Sequence, residues 1–243
     1  MDMIESRSLP LNAVPALALH ALHLWWLDLD GLGWPPGLER RGERGPKLHQ
    51  QFLLRLLLGA YLKRPGRDVR LVRDAAGKPN LAPELTGSGI RFNLSHAGRC
   101  MVVAVGRRID PGVDIESSAR RLDAKRLATR WFPADEAELI GQLSGEAARL
   151  EFLRRWTVRE ALVKAMGSGI AASVGAIGLA GEDACAIERL PPHWPSPRCW
   201  QVVPLAHPDG WIGHLACAQP FRKLKQFALT GSAQPPQPAF DPA

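Results

Sequence analysis

The chain has 243 residues, 46% of them hydrophobic and 23% charged, an ordinary globular composition with enough material for one large domain or two small ones. Its 31 Lys and Arg against 24 Asp and Glu leave a net charge of +7, which suits acidic partners such as nucleotides, nucleic acid or an acidic protein without choosing among them. Cys100, Cys185, Cys199 and Cys217 show no CxxC pair and no close Cys/His spacing, which speaks against a zinc site or a disulfide framework and for reduced thiols in a cytoplasmic protein.

The apolar opening from Leu9 to Leu29 has no small-residue cleavage site after it, and Asp2 and Glu5 stand beside Arg7 where a signal peptide would be purely basic. His20, His23, Asp28 and Asp30 interrupt it, so it is no membrane span of about 20 apolar residues. Within it, residues 18–29 are rich in large apolar side chains and stop at Asp30-Gly31, which predicts a buried strand. A loop carrying Arg40, Arg41 and Arg44 follows, with Lys47 just beyond, and leads to a helix predicted from about Leu48 to Lys63 and ended by Pro65-Gly66. Strands are predicted at residues 69–72, 90–94 and 101–105, separated by turns at Gly77-Lys78-Pro79 and Gly87-Ser88-Gly89.

From Gly112 a second strand-to-helix series begins. A strand covers residues 113–116, one helix lies around residues 122–132, and another runs from about Glu146 to Met166, stopped by Gly167. Strands are expected again at residues 200–205 and 211–218. The boundaries implied are 1–108 for a first half, 109–222 for a second, and 223–243 for a mobile tail, because the chain from about Thr230 onward is too poor in large apolar residues to fold. The fold class is α+β.

Two segments carry chemistry. In Gly112-Val113-Asp114-Ile115-Glu116, strand alternation puts Asp114 and Glu116 on one face while Val113 and Ile115 face the core. Adjacent carboxylates without His or Cys beside them suit a hard cation such as Mg²⁺, although an isolated D-x-E is often just a solvated edge strand. Projected at about 100° per residue, Val158, Ala161, Leu162 and Ala165 fall together, and Trp156, Glu160 and Lys164 fall nearly opposite. Glu preceding Lys by four is also a common surface pair, worth only about 0.3–0.5 kcal/mol.

Taken in this order, GVDIE and Trp156-Thr157-Val158-Arg159-Glu160-Ala161-Leu162-Val163-Lys164 resemble the paired signature of the phosphopantetheinyl transferases, in particular the larger monomeric type that activates peptide and polyketide synthetases. Gly77-Lys78-Pro79 is similar to that family's GKP turn, and Phe92-Asn93-Leu94-Ser95-His96 to its FN-x-SH element. The departure is Arg159, where the family usually has Lys; a role needing a compact ammonium is in doubt there, whereas phosphate binding would survive.

The resemblance implies a pseudo-dimer of two similar halves, each a small antiparallel sheet packed on a long helix, with coenzyme A in the cleft between them. It implies transfer of 4'-phosphopantetheine from coenzyme A to a serine of an apo carrier protein, acyl, peptidyl or aryl, with release of adenosine 3',5'-bisphosphate. Carried over by position, Asp114, Glu116 and Glu160 would hold Mg²⁺, and Glu160 and Lys164 would be catalytic. Lys78, Ser95, His96 and Lys164 would bind coenzyme A, with Arg44 and Lys47, alongside Arg40, Arg41 and His49, as candidates for its 3'-phosphate. The serine proton would pass to Glu160 directly or through a metal-bound water. The implied partners are coenzyme A and a carrier with an acidic surface; neither nucleic acid nor membrane is expected, and the protein should be a cytoplasmic monomer. The rivals are a nonenzymatic nucleotide or nucleic-acid binder using the eight tryptophans and the basic balance, and a degenerate transferase kept as a carrier-binding module.

Overall fold

A computed structural model describes residues 4–9, 11, 13–34, 45–168, 173–181, 183–205 and 210–231. The chain runs β1 (Glu5–Ser8), β2 (Ala21–Asp28), α1 (Gly45–Leu62), β3 (Leu71–Arg73), β4 (Pro79–Leu81), β5 (Ile90–Ala97), β6 (Cys100–Arg107) and β7 (Gly112–Ser117). It continues through α2 (Ala124–Trp131), α3 (Ala134–Gln142), α4 (Gly145–Met166), β8 (Gly178–Ala180), β9 (Ala186–Arg189), β10 (Gln201–Pro204), β11 (Trp211–Cys217) and β12 (Lys223–Thr230). The fold is mixed α+β, with several small sheets.

Four layers organise it. The larger sheet has the order β1-β12-β2-β6-β5 and the smaller β10-β11-β7. β2 is buried on both faces, which is why its sequence reads as an unbroken apolar run rather than an alternation. Trp25 and Leu27 of β2, with Met101 and Val103 of β6, pack against Leu53, Leu57 and Leu58 of α1. On the opposite face, Leu22, Leu24 and Trp26 meet Val113 and Ile115 of β7 and Leu215 of β11. Helix α4 closes the stack, with Val158, Ala161 and Leu162 clustered with Ala216 of β11. The order is therefore helix, five-stranded sheet, three-stranded sheet, helix.

The strand that carries the carboxylates is pressed hard onto α4. A Cβ placed on Gly112 would lie 1.9 Å from the Ala161 carbonyl oxygen and 2.4 Å from the Ala165 nitrogen, so glycine at the head of GVDIE is what allows strand and helix to touch.

Residues 223–230 correct the expected tail. They form β12, which lies between β1 and β2 in the larger sheet and runs parallel to both. Phe227 stacks on Trp25, and the indole of Trp26 donates to Gln226 Oε1 at 3.1 Å. The segment looks polar because Lys223, Lys225 and Gln226 dilute it, yet Phe227 and Leu229 are buried against the α1 side of the core. The 109–222 boundary falls with it, since the chain returns to the sheet of the first half. Helix α3, the short edge strand β1 and the hairpins β3–β4 and β8–β9 lack enough periodicity to be read fully in advance.

Candidate functional site

Asp114 sits mid-strand in β7, directly opposite His214 of β11, on the face covered by α4. Its carboxylate is buried and doubly bonded: Oδ1 accepts from Ser95 Oγ at 2.7 Å and from Lys164 Nζ at 2.6 Å, and Lys164 Nζ also donates to Ser95 Oγ at 3.0 Å. Strand β5 thus brings Ser95, β7 brings Asp114, and the last turn of α4 brings Lys164.

Glu116, two residues on and half-buried, pairs with Arg120 in the turn after the strand. Burial pushes the Glu116 carboxyl upward, with Arg120 opposing and Asp114 adding to the rise. Glu160, one turn before Lys164, is 6% exposed, and its pKa is pushed up to about 7, first by burial and then by Asp114, with Lys164 opposing and Glu116 adding. The three carboxylates share one electrostatic neighbourhood in which negative charge is under-compensated.

They do not form a ready ligand cage. Among the described residues, no group of three or more His, Cys, Asp or Glu side chains is placed to hold a metal ion. In this arrangement Lys164 pairs with Asp114 and Arg120 with Glu116, so each of these two like charges is neutralised by a cation of its own. The donor set still fits a hard divalent cation, being all carboxylate and partly desolvated, once those side chains release it.

Lys78 lies on the turn before β4. Gly77 takes φ +84°, and Asp74 Oδ1 accepts from the Lys78 and Ala76 amides at 2.9 and 3.0 Å, which shapes the GKP turn. The Lys78 ammonium donates to the Lys164 carbonyl oxygen at 2.6 Å, satisfying a backbone acceptor in the last turn of α4. Burial lowers its pKa, with Asp110 and Asp74 opposing. Beside it opens a cavity of about 340 Å³ lined by Asp74, Lys78, Asn80, Asp110, Met166 and Gly167, among others.

Of the remaining expected site residues, His96 is exposed and, by strand alternation, faces away from the side of β5 that bears Ser95. Lys47 is exposed in the first turn of α1, on the layer opposite β7. Neither bonds to the carboxylate group. Arg44, with Arg40 and Arg41, lies outside the described residues.

Arg159 does not face the site at all, so phosphate binding there is corrected. It is fully buried, lies over the Phe132 ring at 4.0 Å, and donates to Glu136 of α3 and to the Ile177 carbonyl at 3.0 Å. Arg155 donates to the other oxygen of Glu136 at 2.7 Å. This buried network ties α4 to α3 and β8, whose Leu179 amide donates to Glu136 at 2.9 Å. The apolar stripe seen on the helical wheel is real, but α4 is covered on several sides, so its buried charges look like surface charges in sequence. Thr157, opposite, pairs with His214 Nδ1 at 2.8 Å and fastens α4 to β11.

Fold and site together define an α+β protein whose strand and helix carboxylates, guarded by Lys and Arg, meet at the junction of two sheets. Residues 110–213 match the family described as the 4'-phosphopantetheinyl transferase superfamily. It is 38% identical over 119 residues to the 4'-phosphopantetheinyl transferase HetI of Nostoc sp., covering 49% of this chain and 50% of that protein. It is 31% identical over 133 residues to the 4'-phosphopantetheinyl transferase AcpT of Escherichia coli (55% and 65% covered). Over 128 residues it is 30% identical to the human L-aminoadipate-semialdehyde dehydrogenase-phosphopantetheinyl transferase (49% and 41% covered). The chain thus spans about half the length of the curated relatives it matches. Among the described residues no helix is long and apolar enough to cross a membrane, and all four cysteines are free.

Proposed function

We propose that this protein transfers the 4'-phosphopantetheine arm of coenzyme A to a serine of an apo carrier protein, with Mg²⁺ as cofactor and adenosine 3',5'-bisphosphate as the second product. The reading rests on the family match over residues 110–213 and on one observation above others: Lys164 Nζ stands 2.6 Å from Asp114 Oδ1, with Glu160 and Glu116 close enough to repel that carboxylate. The helix–sheet–sheet–helix layering supports two similar halves, with coenzyme A in the cleft beside Lys78. It also favours the larger type of transferase within the superfamily.

Asp114, Glu116 and Glu160 would hold the Mg²⁺, which would neutralise the diphosphate and stabilise the leaving oxygen. Lys164, released from Asp114, then offers its ammonium to the phosphate oxygens where negative charge grows. Lys78, lying near the Lys164 carbonyl and lining the cavity, supplies a second cation on the coenzyme side. Glu160, on the same rigid helix as Lys164, would accept the serine proton directly or through a water. The acceptor is a carrier with an acidic surface, drawn by the excess of +7, and the reaction belongs in the cytoplasm.

The test is mass spectrometry of a panel of apo acyl, peptidyl and aryl carrier proteins incubated with the protein, coenzyme A and Mg²⁺. At least one carrier should gain the phosphopantetheine mass on its serine, and Lys164→Ala should slow that gain roughly 10²-fold, the order of one transition-state charge contact. No gain on any carrier would refute the reading.

A further inference from the structure

Strands β5 and β7 lie side by side but belong to different sheets, each at an edge of its own. Among the described residues, side chains rather than a backbone ladder join them. Asn93 Oδ1 accepts from the Val113 amide at 3.1 Å, and Ser95 Oγ donates to Asp114 Oδ1 at 2.7 Å. Asn93 and Ser95 are two apart, so they project from the same face of β5, and they are 3% and 5% exposed. Two consecutive residues of β7, one through its backbone and one through its carboxylate, are thus gripped by two alternate residues of β5.

The geometry points to Asn93 and Ser95 as a clip that positions Asp114 for its cation, which makes both of them positioning residues. The inference rests on the proposed function for the identity of the cation. A buried strand-edge amide with no partner is costly, and Asn93 supplies that partner, fixing the height of β7 against the larger sheet. Ser95 then fixes the carboxylate itself: with its proton donated to Asp114, the oxygen that remains accepts from Lys164, so the hydroxyl also holds the ammonium in reserve. This also accounts for the pairing of Asn and Ser at a spacing of two in the FN-x-S element, since a spacing of one or three would send one of them to the opposite face. His96, next in sequence and on the other face, takes no part in the clip.

Groups that orient the ligands of a metal typically change metal affinity by about 10–100-fold when removed. In Ser95→Ala, Mn²⁺ binding measured by the EPR signal of the free ion with coenzyme A present should weaken by about tenfold or more. Ser95→Thr, which keeps the hydroxyl, should restore Mn²⁺ binding. Asn93→Ala should speed hydrogen exchange in the 112–117 segment and weaken Mn²⁺ in the same way. A rise in the KM for coenzyme A with Mn²⁺ binding unchanged would make Ser95 a coenzyme contact and overturn the proposal. Unchanged exchange in Asn93→Ala would overturn it equally. Should the wild type modify no carrier, the proposed function fails, and the exchange and Mn²⁺ measurements still decide whether the clip exists.

Discussion

Glu160 shows how much a single position can depend on its surroundings. In sequence it is half of a helical Glu-Lys pair, yet in the folded protein burial and the carboxylates of Asp114 and Glu116 raise its pKa from 4.5 to about 7. Between those values the folded protein holds a proton that the unfolded chain has released, so the stabilising contribution is complete below about 4.5 and is lost as pH rises through about 7. Glu160→Gln keeps the shape without the charge. In the metal-free protein it should raise Tm at pH 8 by several degrees, at about 2–4 °C per kcal/mol, and change it little near pH 4.5. An equal effect at both pH values in thermal melts would contradict the assignment. That Asp114 and Glu116 share a strand face, and Glu160 and Lys164 a helix face, was legible from the strand and helix periods, whereas their grouping as one site came from the resemblance alone. The partners Arg120, Glu136 and His214 were not legible, since which distant side chain meets a given one is set by packing.

At the scale of elements, the contact between β7 and α4 decides whether the site exists. Gly112→Ala would drive a methyl group into the backbone of Ala161 and Ala165, with no flexible side chain to yield. The expected cost is about 3 kcal/mol or more, the upper range for overpacking, read as a lower urea midpoint together with lost activity; a midpoint equal to that of wild type would show that the strand can retreat from the helix. The long elements were readable, α1 and α4 from helical spacing and their terminators, β2 and β6 from apolar runs bounded by turn residues, and β7 from its alternation. The short hairpins were not, and β12 escaped notice because its lysines hide two core residues, Phe227 and Leu229.

Across the whole molecule, the chain passes from one sheet to the other and back, so the last described strand completes the first half. Ending the chain after Arg222 removes β12 from between β1 and β2 and strips Trp25 of its stacking partner Phe227. Such a protein should fail to give a cooperative thermal transition, and retention of the full-length transition in calorimetry would show that the two neighbouring strands close the gap unaided. The α+β class was legible from the alternation of element types, whereas the layering depends on which face each sheet buries and is not written in any one segment. The central claim is that carboxylates now held by Lys164 and Arg120 form a single cation centre. It is tested most directly by equilibrium binding of Mn²⁺ in the presence of coenzyme A, comparing wild type with Asp114→Asn. The account requires one ion bound per wild-type chain and loss of that binding in the variant; Mn²⁺ held equally well by both would contradict it.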